Sequence, residues 1–166
     1  MKKRGSKILL AFLLLGGLVS FQLRLNPSQQ ILLLKDQDSN KIYGQWFMEE
    51  ESLFSLSFIH SVNKSMVKDE LMVKDGMLHA HKAIYSGLGA GVQTELNPGE
   101  VLTYDENHHM VISNIKTTYE NLNLIVGTVS DHILEIDGQE ISLRELCGKN
   151  AAVTFMVTKG RGDRKS

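Results

Sequence analysis

From residue 31 onward, apolar and polar positions alternate with the period of β-strands. No stretch between residues 30 and 158 sustains a helical period over ten residues. Residues 31–35 (ILLLK) form a short apolar run closed by Asp36-Gln37-Asp38-Ser39-Asn40, residue types whose side chains bond their own backbone in turns. Residues 41–48 (KIYGQWFM) resume with aromatic and β-branched positions, so the two runs predict a first hairpin. Glu49-Glu50-Glu51 reads as a solvated acidic bend. Residues 54–62 put Phe54, Leu56 and Phe58 on one side and Ser55, Ser57 and Ile59 on the other, as in an antiparallel strand with one buried face.

Residues 66–74 and 77–86 flank Asp75-Gly76, and residues 132–136 and 139–143 flank Asp137-Gly138. Each Asp-Gly pair predicts a two-residue hairpin turn, because both central positions of that turn require positive φ. Residues 101–104, 110–115, 121–126 and 152–158 add further strands. The last of these is apolar on both faces and therefore expected at the centre of a sheet. Residues 142–146 fit one helical turn closed by Gly148. Regular short strands with turn signals between them predict an all-β fold: a single antiparallel β-sandwich or barrel-like domain over residues 31–158.

The N-terminus breaks the strand rhythm. MKKRGSK precedes an apolar run at residues 8–19, and a basic start followed by such a run is the secretory pattern. The expectation is an N-terminal hydrophobic helix over residues 1–23, acting as a signal peptide or an uncleaved signal anchor, with residues 24–30 as a tether. The domain then faces outward, anchored to the cell membrane, or secreted if the signal is cleaved. Residues 159–166 read as a charged tail without pattern.

Charge and composition narrow the chemistry. The net charge is −1, but Lys2, Lys3, Arg4 and Lys7 have no acid near them, so the remainder holds 14 basic against 19 acidic residues. An acidic remainder argues against a nucleic-acid surface, which needs clustered Lys and Arg. The single cysteine, Cys147, excludes an intrachain disulfide and a Cys-x-x-Cys site. His79 and His81 alternate on a strand, with Met77, Ala83 and Tyr85 expected on their face. Two ligands without a local third do not make a metal site, so none is assigned. The glycine run at residues 87–91 lacks the helix that a dinucleotide fingerprint requires, since Asn97-Pro98-Gly99 is a turn. Its glycines suit either a loop whose amides approach an anion closely or a tight crossover between sheets. No catalytic motif is present and no cofactor is implied. The polar strand end His60-Ser61-Val62-Asn63-Lys64 gathers donors and a cation at one place, as a recognition surface would.

The run His60-Ser61-Val62-Asn63-Lys64-Ser65-Met66-Val67, the acids Asp69 and Glu70, and Gly89-Ala90-Gly91 resemble an uncharacterised bacterial family of small exported or membrane-anchored proteins. Many of its members are encoded beside tripartite ATP-independent periplasmic (TRAP) transporters whose solute receptor is of the immunogenic-protein-like (TAXI) type. The family pattern has proline where this chain has Met66 and Gln93, losses that loosen turns without deleting functional groups. The resemblance implies a non-enzymatic extracytoplasmic accessory of such a transporter, contacting the solute receptor or the permease. It carries over His60, Ser61, Lys64, Glu70, Gly89 and Gly91 as candidate ligand- or partner-binding residues. The alternative is a free-standing envelope module that binds a small organic anion or a metal.

Overall fold

The computed structural model describes residues 30–87 and 95–159. Their strands, in chain order, are β1 (Gln30–Asp36), β2 (Ile42–Met48), β3 (Leu53–Ile59), β4 (Met66–Lys74), β5 (Met77–Tyr85), β6 (Val101–Tyr104), β7 (Met110–Ser113), β8 (Thr118–Tyr119), β9 (Asn121–Ile125), β10 (His132–Ile136), β11 (Gln139–Ser142) and β12 (Ala152–Lys159). The five-residue helix α1 (Leu143–Cys147) lies between β11 and β12. The hydrophobic helix expected over residues 1–23 lies outside the described residues.

The strands form two antiparallel sheets. One has the order β2-β1-β12-β9, and the other β11-β10-β3-β4-β5-β7-β6, with β8 also paired to β5. The expected hairpins form where the turn chemistry allows. Asp75 and Gly76 have φ of 53° and 77°, and Asp137 and Gly138 have φ of 51° and 72°. Both pairs occupy the left-handed region that suits the twist of a hairpin. The acidic bend after β2 does more than face solvent. Glu50 accepts the Asp75 amide at 2.8 Å and the side-chain amide of Gln30, whose own oxygen accepts the Gly76 amide at 2.9 Å. The start of β1 is thereby fastened to the β4–β5 turn.

The alternation read from the sequence decides which faces meet. Leu32 and Leu34 of β1 and Val153 and Phe155 of β12 are fully buried, opposite Phe54, Leu71, Val73, Leu78 and Leu134 of the larger sheet. Phe54 and Phe155 span the layers with ring centroids 5.9 Å apart. β12, expected to be central, lies between β1 and β9. A second, smaller cluster of Val67, Ala83, Tyr85, Met110 and Ile112 fills the end of the larger sheet nearest β7. The helix α1 starts as its sequence predicts: the Ser142 hydroxyl accepts the Glu145 amide at 3.0 Å and donates to Asp131 at 2.6 Å.

Two local readings change. β3 ends at Ile59, short of residue 62, because His60–Ser65 turns back on itself. In β5 the register against β4 slips after Glu70: Glu70 pairs with Lys82, but Leu71 pairs with Ala80. His81 is the extra residue of this bulge, and it reverses the phase of the strand. Leu78 therefore faces the core along with Ala83 and Tyr85, although strict alternation would separate them.

Candidate functional site

The His60–Lys64 segment is built as a closed turn. The His60 amide donates to the Ser65 carbonyl at 2.8 Å, and the Lys64 amide donates to the His60 carbonyl at 2.9 Å. The His60 ring accepts the amides of Val62 and Asn63 through Nδ1, at 3.3 and 3.4 Å. The imidazole thus does for this turn what an Asx or Ser side chain does in others, satisfying amides that no strand pairs. Lys64 has φ of 54°, and both Ser61 and Lys64 are exposed. The turn rests on the chain just after β5. The Met66 amide donates to the Ser86 hydroxyl at 2.6 Å, and a Cβ at Gly87 would come within 3.1 Å of the Ser65 Cβ. Gly89 and Gly91 lie outside the described residues.

Glu70 is not at this turn. It sits mid-strand on β4, paired with Ser55 of β3 and Lys82 of β5, and its carboxylate is 3.5 Å from Lys82 Nζ. In the neighbouring row, Lys68 Nζ meets Glu135 at 2.6 Å, and Glu135 also accepts from the Ser55 hydroxyl at 3.2 Å. These side chains make a ladder of paired charges on the larger sheet, and the Glu70–Lys82 pair also reaches the lining of the cavity between the sheets. His60, Ser61 and Lys64 share one turn, while Glu70 belongs to the ladder.

The inner face of the same strands holds a cavity of about 410 Å³, between β3–β5 of the larger sheet and β9, the edge strand of the smaller one. Its origin is steric. Where β5 crosses the cavity, its lining positions include two alanines, Ala80 and Ala83, and the half-buried Leu122 and Leu124 of β9 stand across the gap. Phe58, Tyr119 and His132 line it as well. A space of this volume falls within the range of about 300–1,000 Å³ typical of small-molecule sites.

One carboxylate breaks the apolar face. Val67, Asp69, Leu71 and Val73 share a phase on β4, and the three apolar members are buried. Asp69 lies directly between Leu56 of β3 and Ala83 of β5 in the ladder. Space in the cavity leaves it exposed, yet protein surrounds it closely enough that burial pushes its pKa above the usual aspartate value. Among the described residues it has no hydrogen bond and no ion pair. Burial, reinforced by the charge of Asp69, raises the Tyr119 hydroxyl. His132 packs against Phe58 with ring centroids 5.1 Å apart and planes tilted by 44°, and its Nδ1 accepts the Gly127 amide at 3.1 Å. Burial lowers its pKa; Arg144 adds to this and Asp131 opposes it, so the ring is neutral at pH 7.

Asp69 is the group that sequence reasoning passed over in favour of Glu70. Its signal was an acid in phase with Val67, Leu71 and Val73, on the side of the strand that has to be buried. The two strand histidines, His79 and His81, are set apart by the bulge. Among the described residues no three His, Cys, Asp or Glu side chains gather as a metal ion would require.

The profile of a family described as a domain of unknown function, DUF1850, matches residues 54–143. No curated protein and no solved structure matches. The matched stretch includes the whole of β4 and β5, the His60–Lys64 turn, Asp69 and the β10 wall of the cavity.

Proposed function

The chain belongs to this DUF1850 family, and from that premise we propose that it is a non-enzymatic extracytoplasmic accessory of a TRAP-type solute transporter, holding a small molecule in the cavity between its sheets. The observation that carries the reading is the cavity itself: about 410 Å³, apolar in most of its wall, with a single unpaired carboxylate aimed from a buried face. Such a space is costly to keep, because small side chains forgo packing and a carboxylate partly withdrawn from water loses hydration. A binding role accounts for that cost. The link to transport rests on the resemblance of residues 60–67 and 89–91 and on the export pattern of residues 1–19. On this reading the exposed Ser61 and Lys64 belong to a surface that meets the solute receptor or the permease, and the basic N-terminus holds the domain at the outer side of the membrane.

The test is mild cross-linking of the full chain in its native cell envelope, followed by purification and identification of bound proteins. Recovery of a TRAP receptor or permease subunit is the expected result. Repeated recovery of neither contradicts the transport assignment. The cavity also favours a second reading, in which the domain binds its ligand alone. That reading predicts thermal stabilisation by a small molecule without any transport component in the cross-linked material.

A further inference from the structure

We infer that the cavity is built for a ligand carrying a protonated amine on a small apolar body, with the ammonium group against Asp69. This rests on the reading that the cavity holds a small molecule, and it adds the chemical class.

The wall decides the sign of the charge. Its ionisable members are Asp69, Glu70 and Glu100 against Lys82, and Lys82 is engaged by Glu70 at 3.5 Å. His132 is neutral and turns Nδ1 to a backbone amide. An organic anion entering here meets a net negative wall with its cation already taken. An ammonium group meets an acid that has no protein donor among the described residues, and exchanges its water contacts for a charge-assisted hydrogen bond. Aromatic surface from Phe58 and Tyr119 adds an environment that attracts cations. Leu56, Leu71, Ala80, Ala83, Leu122 and Leu124 supply the aliphatic surface that takes the apolar body. At roughly 30 Å³ per water-sized group, the space accommodates on the order of a dozen non-hydrogen atoms.

The chemistry also separates amines from metal ions. Asp69 belongs to no group of three His, Cys, Asp or Glu side chains placed to hold a metal ion among the described residues. A divalent cation needs several such ligands, whereas an ammonium group needs one strong acceptor and a dry, partly aromatic surround.

The test uses the full chain and three probes of similar shape: 2-phenylethylamine, 2-phenylethanol and 3-phenylpropionate. Calorimetric titration at pH 7 is expected to show saturable binding of the amine, at least about tenfold tighter than the alcohol, and none of the acid. Asp69→Asn is expected to weaken the amine by about 30-fold or more while leaving the alcohol unchanged, as removal of one partner of a desolvated pair does. Asp69→Glu, which keeps the charge, is expected to retain the preference for amine over alcohol. Circular dichroism melts of each variant show that it is folded. Binding of 3-phenylpropionate in place of the amine overturns the amine assignment and leaves the small-molecule reading standing. Absence of saturable binding by any probe overturns the inference. Recovery of a transporter subunit by cross-linking is read separately, so the failure of one claim does not stand in for the failure of the other.

Discussion

Replacing Asp69 by asparagine should make the empty protein more stable, and the gain should depend on pH. The native carboxylate sits between Leu56 and Ala83 on the inner face of β4, without a hydrogen bond or ion pair among the described residues. An unpaired polar group removed from water costs about 1–3 kcal/mol in mutational series. Here the lower end applies, because the cavity leaves Asp69 in contact with solvent and the asparagine amide remains a polar group in the same place. A gain of about 1 kcal/mol corresponds to a melting temperature about 3 °C higher for a domain of this size. The sign of the pH dependence follows from linkage. The folded-state pKa of Asp69 lies above its ordinary value of 3.8. Folding is therefore favoured when the group is protonated, and that stability is lost as pH rises through the folded pKa. The advantage of Asp69→Asn should be largest at pH 7 and shrink as pH falls toward 3.8, where the native side chain is itself largely neutral. Melts of both proteins by circular dichroism, at intervals from pH 7 to pH 4, measure it. A lower melting temperature for the variant at pH 7, or a gain that does not change with pH, would show that Asp69 is not the unsatisfied acid described above.

Three further outcomes follow from the packing and the turns. Phe155→Ala removes a fully buried ring that meets Phe54 between the sheets, and should cost about 3–5 kcal/mol in denaturant unfolding. Burial pushes the Cys147 thiol up to about 11, from 9.0 for a free thiol. Alkylation by iodoacetamide at pH 8 should consequently run about a hundredfold slower in the folded chain than in urea, because the thiolate is the reacting form. His60→Ala leaves the Val62 and Asn63 amides without their ring acceptor. With bonds of 3.3 and 3.4 Å the loss should be modest, about 0.5–1 kcal/mol by thermal melting, and a loss of several kcal/mol would mean that the ring does more than close the turn.

Much of the fold was legible in the chain because strands and hairpins leave local marks. The Asp75-Gly76 and Asp137-Gly138 turns, the inward Phe54-Leu56-Phe58 series and the central position of the residue 152–158 strand all follow from alternation and turn chemistry. The bulge at His81 was not legible. His79, Ala80 and His81 fit either face, so a one-residue slip changes no obvious pattern, and the reversal shows only in the pairing with β4. β8 has two residues and leaves no period to read. His60 showed its polarity but not its employment, since the amides it satisfies belong to a turn whose closure is three-dimensional. The cavity was the furthest from view. It depends on Ala80 and Ala83 lying across from Leu122 and Leu124, and nothing local connects β5 to β9. Asp69 lay between the two cases: its phase on β4 marked it as inward, but only the cavity explains why an acid is tolerated there.

The most direct measurement is a crystal structure of the full chain with 2-phenylethylamine. The account predicts the ring between β5 and β9 and the nitrogen about 2.7–2.9 Å from an Asp69 carboxylate oxygen, the length of a charge-assisted hydrogen bond. A cavity that holds only water at saturating amine, or an amine bound elsewhere with Asp69 untouched, would contradict it.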